Sequence, residues 1–69
     1  MYLKCEMKNC GEISHVDKWN EATKKLNGEN FYPIDKCFEE FDDLEGMHFC
    51  CPKCNQVNDG LYVEEIYNF

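Results

Sequence analysis

Two pairs of cysteines, one near each end of a 69-residue chain, limit most strongly how this sequence can fold. In Cys51-Pro52-Lys53-Cys54, two residues separate the thiols, and Pro52 fixes the φ angle of a tight turn. Cys5 and Cys10 are separated by four residues and followed by Gly11, which suits a positive φ angle. Such turns can direct two thiolates toward one ion. The sequence therefore predicts one tetrahedral metal site formed by Cys5, Cys10, Cys51 and Cys54.

The six cysteines can serve as metal ligands or as three disulfides, and the cellular compartment decides between these alternatives. The N-terminal residues 1–4 do not combine a basic start with an apolar run, so we expect no signal peptide. In the cytoplasm, where we place the protein, thiols stay reduced. A chain of this length buries only about 60% of its unfolded surface, so a metal would supply stability that the core lacks. We therefore predict one Zn²⁺ rather than disulfides.

The chemistry of the predicted site argues against an enzyme. Four thiolates at about 2.3 Å complete the tetrahedron of zinc and leave no position for water or substrate, so the metal is structural. The sequence contains no recognisable serine-histidine-acid set, phosphate loop or carboxylate pair in a cleft. We expect a protein without catalytic residues.

Two further cysteines and two histidines remain outside the predicted quartet. Cys50 would face away from Cys51 in a strand, although it could replace Cys51 as a ligand together with Cys54. Cys37 falls in an apolar stripe, where a thiol usually behaves as a small hydrophobic group. His15 and His48 are alternative ligands, but each is interpreted as a surface or supporting side chain.

The segment between the cysteine pairs predicts two helices. The first spans residues 15–27, with Ser14 and Asp17 as a capping box, Trp19 as its main core contact and Gly28 as its stop. Its apolar face contains Val16, Trp19, Ala22, Thr23 and Leu26. The second predicted helix spans residues 35–45, between Asp35 and Gly46. Its apolar stripe contains Ile34, Cys37, Phe38, Phe41 and Leu44.

Short strands are predicted beside the cysteines, at residues 2–4, 12–13 and 47–50. Asp59-Gly60, between apolar residues, predicts a hairpin whose returning strand spans residues 63–69, with a terminal helix as the alternative. The expected fold is a small, metal-stabilised α+β domain over residues 1–69. It contains β-hairpins at the two cysteine turns and a helical insertion between them.

The charge distribution favours a protein partner over nucleic acid. The formal net charge is −7 and the chain contains no arginine, so its surface repels phosphate. No apolar run approaches the roughly 20 residues of a membrane span. The acidic residues concentrate in the second predicted helix, opposite its apolar stripe. We expect these side chains to bind a basic protein surface: Glu39, Glu40, Asp42, Asp43 and Glu45.

The two cysteine turns resemble the knuckles of the zinc-ribbon family and of the related rubredoxin-like proteins. Cys51 to Cys54 has the C-P-x-C form of those knuckles, but Asn55 replaces the usual glycine, and the first knuckle contains two extra residues. The rubredoxin resemblance implies an iron electron carrier as the alternative function. The chain also resembles small acidic phage proteins that inhibit DNA-handling enzymes. That resemblance implies a viral regulator that binds a nucleic-acid-handling enzyme.

Overall fold

Five short strands and two helices make up the fold in a computed structural model, which describes residues 1–67. In chain order the elements are β1 (Tyr2–Lys4), β2 (Ile13–His15), α1 (Val16–Asn27), a 3₁₀ turn (Gly28–Asn30), α2 (Ile34–Glu40), β3 (His48–Cys50), β4 (Val57–Asp59) and β5 (Glu64–Ile66). A three-stranded sheet has the order β2-β1-β5, and a two-stranded sheet pairs β3 with β4. All pairs are antiparallel. The predicted small α+β character is confirmed.

The core lies between α1 and the two sheets. Trp19 on α1, Leu3 on β1 and Ile34 on α2 have no exposed surface. Around them pack the other buried members of the cluster, which are Cys5, Val16, Cys37, Phe49, Cys51 and Val63. The prediction that Trp19 is the main core contact of α1 is therefore confirmed. Leu26, which is predicted for the same face, lies in the last turn of α1 and is 53% exposed.

Helix α1 ends as predicted but begins one residue later. Ser14 pairs with Leu3 in the sheet, which keeps the chain extended through His15. The His15 Nδ1 atom then accepts a hydrogen bond from the Asp17 N–H at 3.1 Å, so His15 is the N-cap and the predicted capping box is wrong. Gly28 follows the helix with a φ angle of 61°.

Helix α2 is shorter than its apolar stripe predicts. It ends at Glu40, and Phe41 is extended with φ −118° and ψ 133°. Carboxylates in further turns would meet the negative end of the helix dipole. Moreover, Asp43 accepts a hydrogen bond from the Glu45 N–H at 2.9 Å, a local bond that competes with helix formation. The predicted helix over residues 35–45 is therefore wrong beyond Glu40, and Phe41 is exposed.

The predicted hairpin at Asp59-Gly60 is also wrong, although the chain does turn there. The N–H groups of Tyr62 and Val63 both donate to the Asp59 carbonyl, and this turn carries the chain from one sheet to the other. Consequently β4 pairs with β3, whereas β5 pairs with β1. A Cβ atom on Gly60 would lie 2.5 Å from the Leu44 carbonyl oxygen, so close packing requires glycine. Residues 68–69 of the predicted strand lie outside the described residues.

Candidate metal centre

Each cysteine pair lies at the tip of its own hairpin. The first turn joins β1 to β2, and the Cys5 N–H donates to the Glu12 carbonyl at 3.0 Å. Within the turn, the Cys10 N–H donates to the Met7 carbonyl at 3.1 Å. Gly11 has a φ angle of 63°, as the sequence predicted. The two additional residues between Cys5 and Cys10 are therefore accommodated inside the turn, and the backbone hydrogen bond from Cys5 to Glu12 still closes it.

The second turn joins β3 to β4 and closes in the same way. The Cys51 N–H donates to the Gln56 carbonyl at 3.0 Å, two residues past Cys54, just as Glu12 lies two residues past Cys10. Asn55 has a φ angle of 62° and thus adopts the backbone conformation of Gly11 in the other turn. Asparagine tolerates this left-handed region better than most residues. Replacement of the usual glycine by Asn55 therefore leaves the turn geometry intact.

The two hairpins bring the four predicted sulfur atoms together. All four Sγ atoms lie within 4.8 Å of one another. The Cys5–Cys54 and Cys10–Cys51 Sγ separations are both 3.8 Å. A tetrahedron with zinc–sulfur bonds of about 2.3 Å requires sulfur atoms about 3.8 Å apart. Disulfide sulfurs lie about 2.05 Å apart. The spacing suits a shared metal ion.

The surroundings of the sulfur atoms also suit a cation. Cys5 and Cys51 are buried, whereas Cys10 and Cys54 are half-buried. Burial raises the pKa of the Cys51 thiol to about 12, because a thiolate there would lose its hydration. A bound metal compensates that loss directly. The Lys53 N–H also points at the Cys51 Sγ from 3.4 Å, as an amide does toward a metal-bound sulfur.

A buried asparagine joins the two hairpins that carry the cysteine cluster. The Asn58 side chain is fully buried, accepts from the Glu6 N–H at 2.7 Å and donates to the Gln56 carbonyl at 3.1 Å. The Glu6 carboxylate accepts in return from the Asp59 N–H at 2.8 Å. Sequence reasoning missed Asn58, because alternation in β4 would have placed Val57 inside, whereas Val57 is exposed. These bonds join the two turns through contacts that do not involve the cysteine side chains.

Among the described residues, the other candidate ligands are not members of the cluster of four sulfur atoms. The backbone N–H of Cys50 donates a hydrogen bond to the Thr23 Oγ1 at 2.9 Å, which connects β3 to α1. Cys37 is buried in the core cluster, as its position in the apolar stripe predicted. His15 caps α1, and His48 is exposed on β3.

The predicted acidic partner site occupies α2 and the loop after it. Its five side chains are all exposed: Glu39, Glu40, Asp42, Asp43 and Glu45. They do not form one helical face, because only Glu39 and Glu40 belong to α2. Glu39 lies 4.0 Å from the Lys36 ammonium, and Glu40 accepts a hydrogen bond from the Tyr32 hydroxyl. Within residues 1–67, Asp42, Asp43 and Glu45 have no lysine within ion-pair distance.

A comparison of this chain with protein-family models, curated proteins and solved structures finds no match. In the described part of the chain, no helix is both long and apolar enough to cross a membrane.

Proposed function

We propose that this chain is a cytoplasmic protein-interaction domain whose fold depends on one structural zinc ion. The supporting observation is the cluster of Cys5, Cys10, Cys51 and Cys54, in which two sulfur separations of 3.8 Å equal the edge of a tetrahedral zinc site. Four protein thiolates complete the coordination of zinc, so the metal would stabilise the fold and catalyse no reaction. The arrangement of two knuckles on two hairpins, with α1 and α2 between them, supports a zinc-ribbon-like classification.

The same four thiolates can also bind iron, as in rubredoxin-like electron carriers. That alternative function requires a redox-active metal, which gives the ferric protein a red colour, whereas a zinc protein is colourless. The elongated first turn between Cys5 and Cys10 favours zinc, because it departs from the two-residue spacing of rubredoxin knuckles.

The partner that we propose is a protein with a basic surface, for example a nucleic-acid-handling enzyme that the domain inhibits or regulates, as viral proteins of this type do. The net charge of −7 opposes direct binding to nucleic acid. The exposed carboxylates from Glu39 to Glu45 repel one another, and a cationic partner would relieve that repulsion. Carboxylates at this density can substitute for a phosphate backbone in the binding channel of such an enzyme.

A charge-neutral variant tests the role of these carboxylates. We expect the combined substitutions Glu39→Gln, Glu40→Gln, Asp42→Asn and Asp43→Asn to preserve metal content and fold, because all four side chains are exposed. Partner proteins captured from a cell lysate are identified by mass spectrometry and purified. Their affinity for parent and variant is then measured by calorimetry at low and at physiological salt.

The parent should bind more weakly as salt rises, and the variant should bind more weakly than the parent at both salt concentrations. Equal affinities that do not change with salt would contradict the proposal. The interface would then be assigned to the aromatic tail with Tyr62, Tyr67 and Phe69, of which Phe69 lies outside the described residues.

A further inference from the structure

An apolar groove opens next to the acidic residues, on the side of the molecule formed by α1, α2 and β3. Its volume is about 260 Å³. The buried side chains of Thr23, Cys37 and Phe49 form its base. Its exposed rim includes Tyr32 and Phe41, which are 47% and 46% exposed. Two aromatic rings exposed beside a preformed apolar groove are typical of a binding site.

The two aromatic rings of the rim are held in position by contacts with each other and with Glu40. The Tyr32 and Phe41 rings meet edge to face, with centroids 6.3 Å apart. The Tyr32 hydroxyl donates to the Glu40 carboxylate, and this hydrogen bond raises the pKa of Tyr32. An aromatic pair that is already oriented loses little conformational entropy when it binds a partner.

The size of the groove restricts what it can hold. Small-molecule sites usually have volumes of about 300–1,000 Å³, so this groove is too small for most cofactors and drug-sized ligands. It is large enough for one apolar side chain of another protein. A single anchor side chain in such a pocket commonly provides much of the binding energy of an interface.

The charges beside the groove determine which anchor segment fits. Phe41 lies between Glu40 and Asp42 in the chain, and Asp43 and Glu45 follow on the same exposed loop. None of the residues that line the groove is a lysine. A second copy of this chain would bring the same carboxylates and a net charge of −7, so charge repulsion opposes self-association here.

We infer that the groove binds one aromatic or large aliphatic side chain from a partner segment whose neighbouring residues are lysine or arginine. The anchor packs against Phe49 and Cys37 beside the contacting Tyr32 and Phe41 rings, while the flanking cations contact Glu40, Asp42 and Asp43. This inference rests on the proposed function, because it specifies the part of a basic partner that docks on the acidic residues.

Three synthetic peptides test the inference on the metal-loaded 69-residue chain labelled with ¹⁵N. The first has a central tryptophan flanked by two lysines on each side. The second replaces tryptophan by serine at the same charge, and the third replaces the lysines by glutamates around the same tryptophan. Binding is followed by NMR titration, which locates each peptide through the shifted amide signals.

We expect the first peptide to shift the amide signals of Asn27, Phe41 and His48, which surround the groove. The other two peptides should each bind at least about tenfold more weakly. Phe41→Ser should also weaken the first peptide, whereas the matched control Tyr67→Ser should not, because Tyr67 is 82% exposed and does not line the groove.

Equal binding of the serine and tryptophan peptides would overturn the inference. So would shifts confined to the acidic loop, or the absence of binding by the first peptide. The proposed function is judged separately, by the affinity of the charge-neutral variant for the captured partner. If the acidic surface bound its partner without an anchor side chain, the inference about the groove would be wrong and the proposed function would still hold.

Discussion

Cys51→Ser is expected to abolish metal binding and to unfold the protein. Cys51 is fully buried, and its Sγ lies 3.8 Å from that of Cys10 within the cysteine cluster. Zinc binding provides roughly 10–16 kcal/mol in small zinc peptides. A domain of this length has a total stability of only about 3–10 kcal/mol, so the metal-free variant has too little stability to stay folded. Metal analysis and circular dichroism measure the two effects, and Cys54→Ser should behave in the same way.

Cys50→Ser is the matched control, because Cys50 is the adjacent residue, is also buried, and lies outside the cluster. Cys37→Ser is a second control, in the core. Each should retain one metal ion and lose only about 1–3 kcal/mol for burial of a more polar group. Loss of metal from Cys37→Ser, together with normal metal content in Cys51→Ser, would show that the quartet is wrong.

Trp19→Ala is expected to cost about 3–5 kcal/mol, which is the range for a large aromatic residue removed from a core. Trp19 has no exposed surface and is the largest of the fully buried side chains. It lies in the cluster with Leu3, Ile34 and Phe49, so its loss leaves a cavity between α1 and the sheets. Urea unfolding of the zinc-loaded protein, followed by circular dichroism, should show a much lower midpoint or no cooperative transition.

Trp19→Phe distinguishes two contributions of Trp19 to stability, the volume that its side chain fills and its polar Nε1 atom. Within residues 1–67, the Trp19 Nε1 atom is buried and has no hydrogen-bond partner. Phenylalanine removes this unsatisfied donor and leaves a smaller cavity, so the loss should be clearly smaller than that for alanine. An unfolding midpoint of Trp19→Ala equal to that of the parent would contradict the assignment of Trp19 to the core.

The cysteine turns could be predicted from sequence because their determinants are local. Spacing, a proline at Pro52 and a glycine at Gly11 each act within a few residues of the chain. The core position of Trp19 followed from helical periodicity in the same way. Strand β1 was predicted at residues 2–4 and is found there. The hydrogen bond between Asn58 and Glu6 connects the two turns. Because these residues are far apart in the sequence, no local pattern predicts their contact.

The failed predictions at Ser14 and at Asp59-Gly60 have a common cause, which is competition from tertiary contacts. The N-cap of α1 is His15 rather than the predicted Ser14, because Ser14 pairs with Leu3 on β1. Asp59-Gly60 predicted a hairpin, but the strands on either side of that turn pair elsewhere: β4 pairs with β3, and β5 pairs with β1. The segment after Glu40 differs for a local reason: the Asp43 carboxylate accepts a hydrogen bond from the Glu45 N–H, and the dipole of α2 opposes further helix. Periodicity alone carries none of this information.

Elemental analysis of the protein purified without added metal, combined with its intact mass under denaturing conditions, tests the central claim most directly. We expect one zinc ion per chain, a colourless solution and the mass of a chain with all six cysteines reduced. Iron in a red solution would contradict zinc and favour the electron-carrier function. Absence of metal, with a mass lower by six hydrogens, would replace the metal centre with three disulfides.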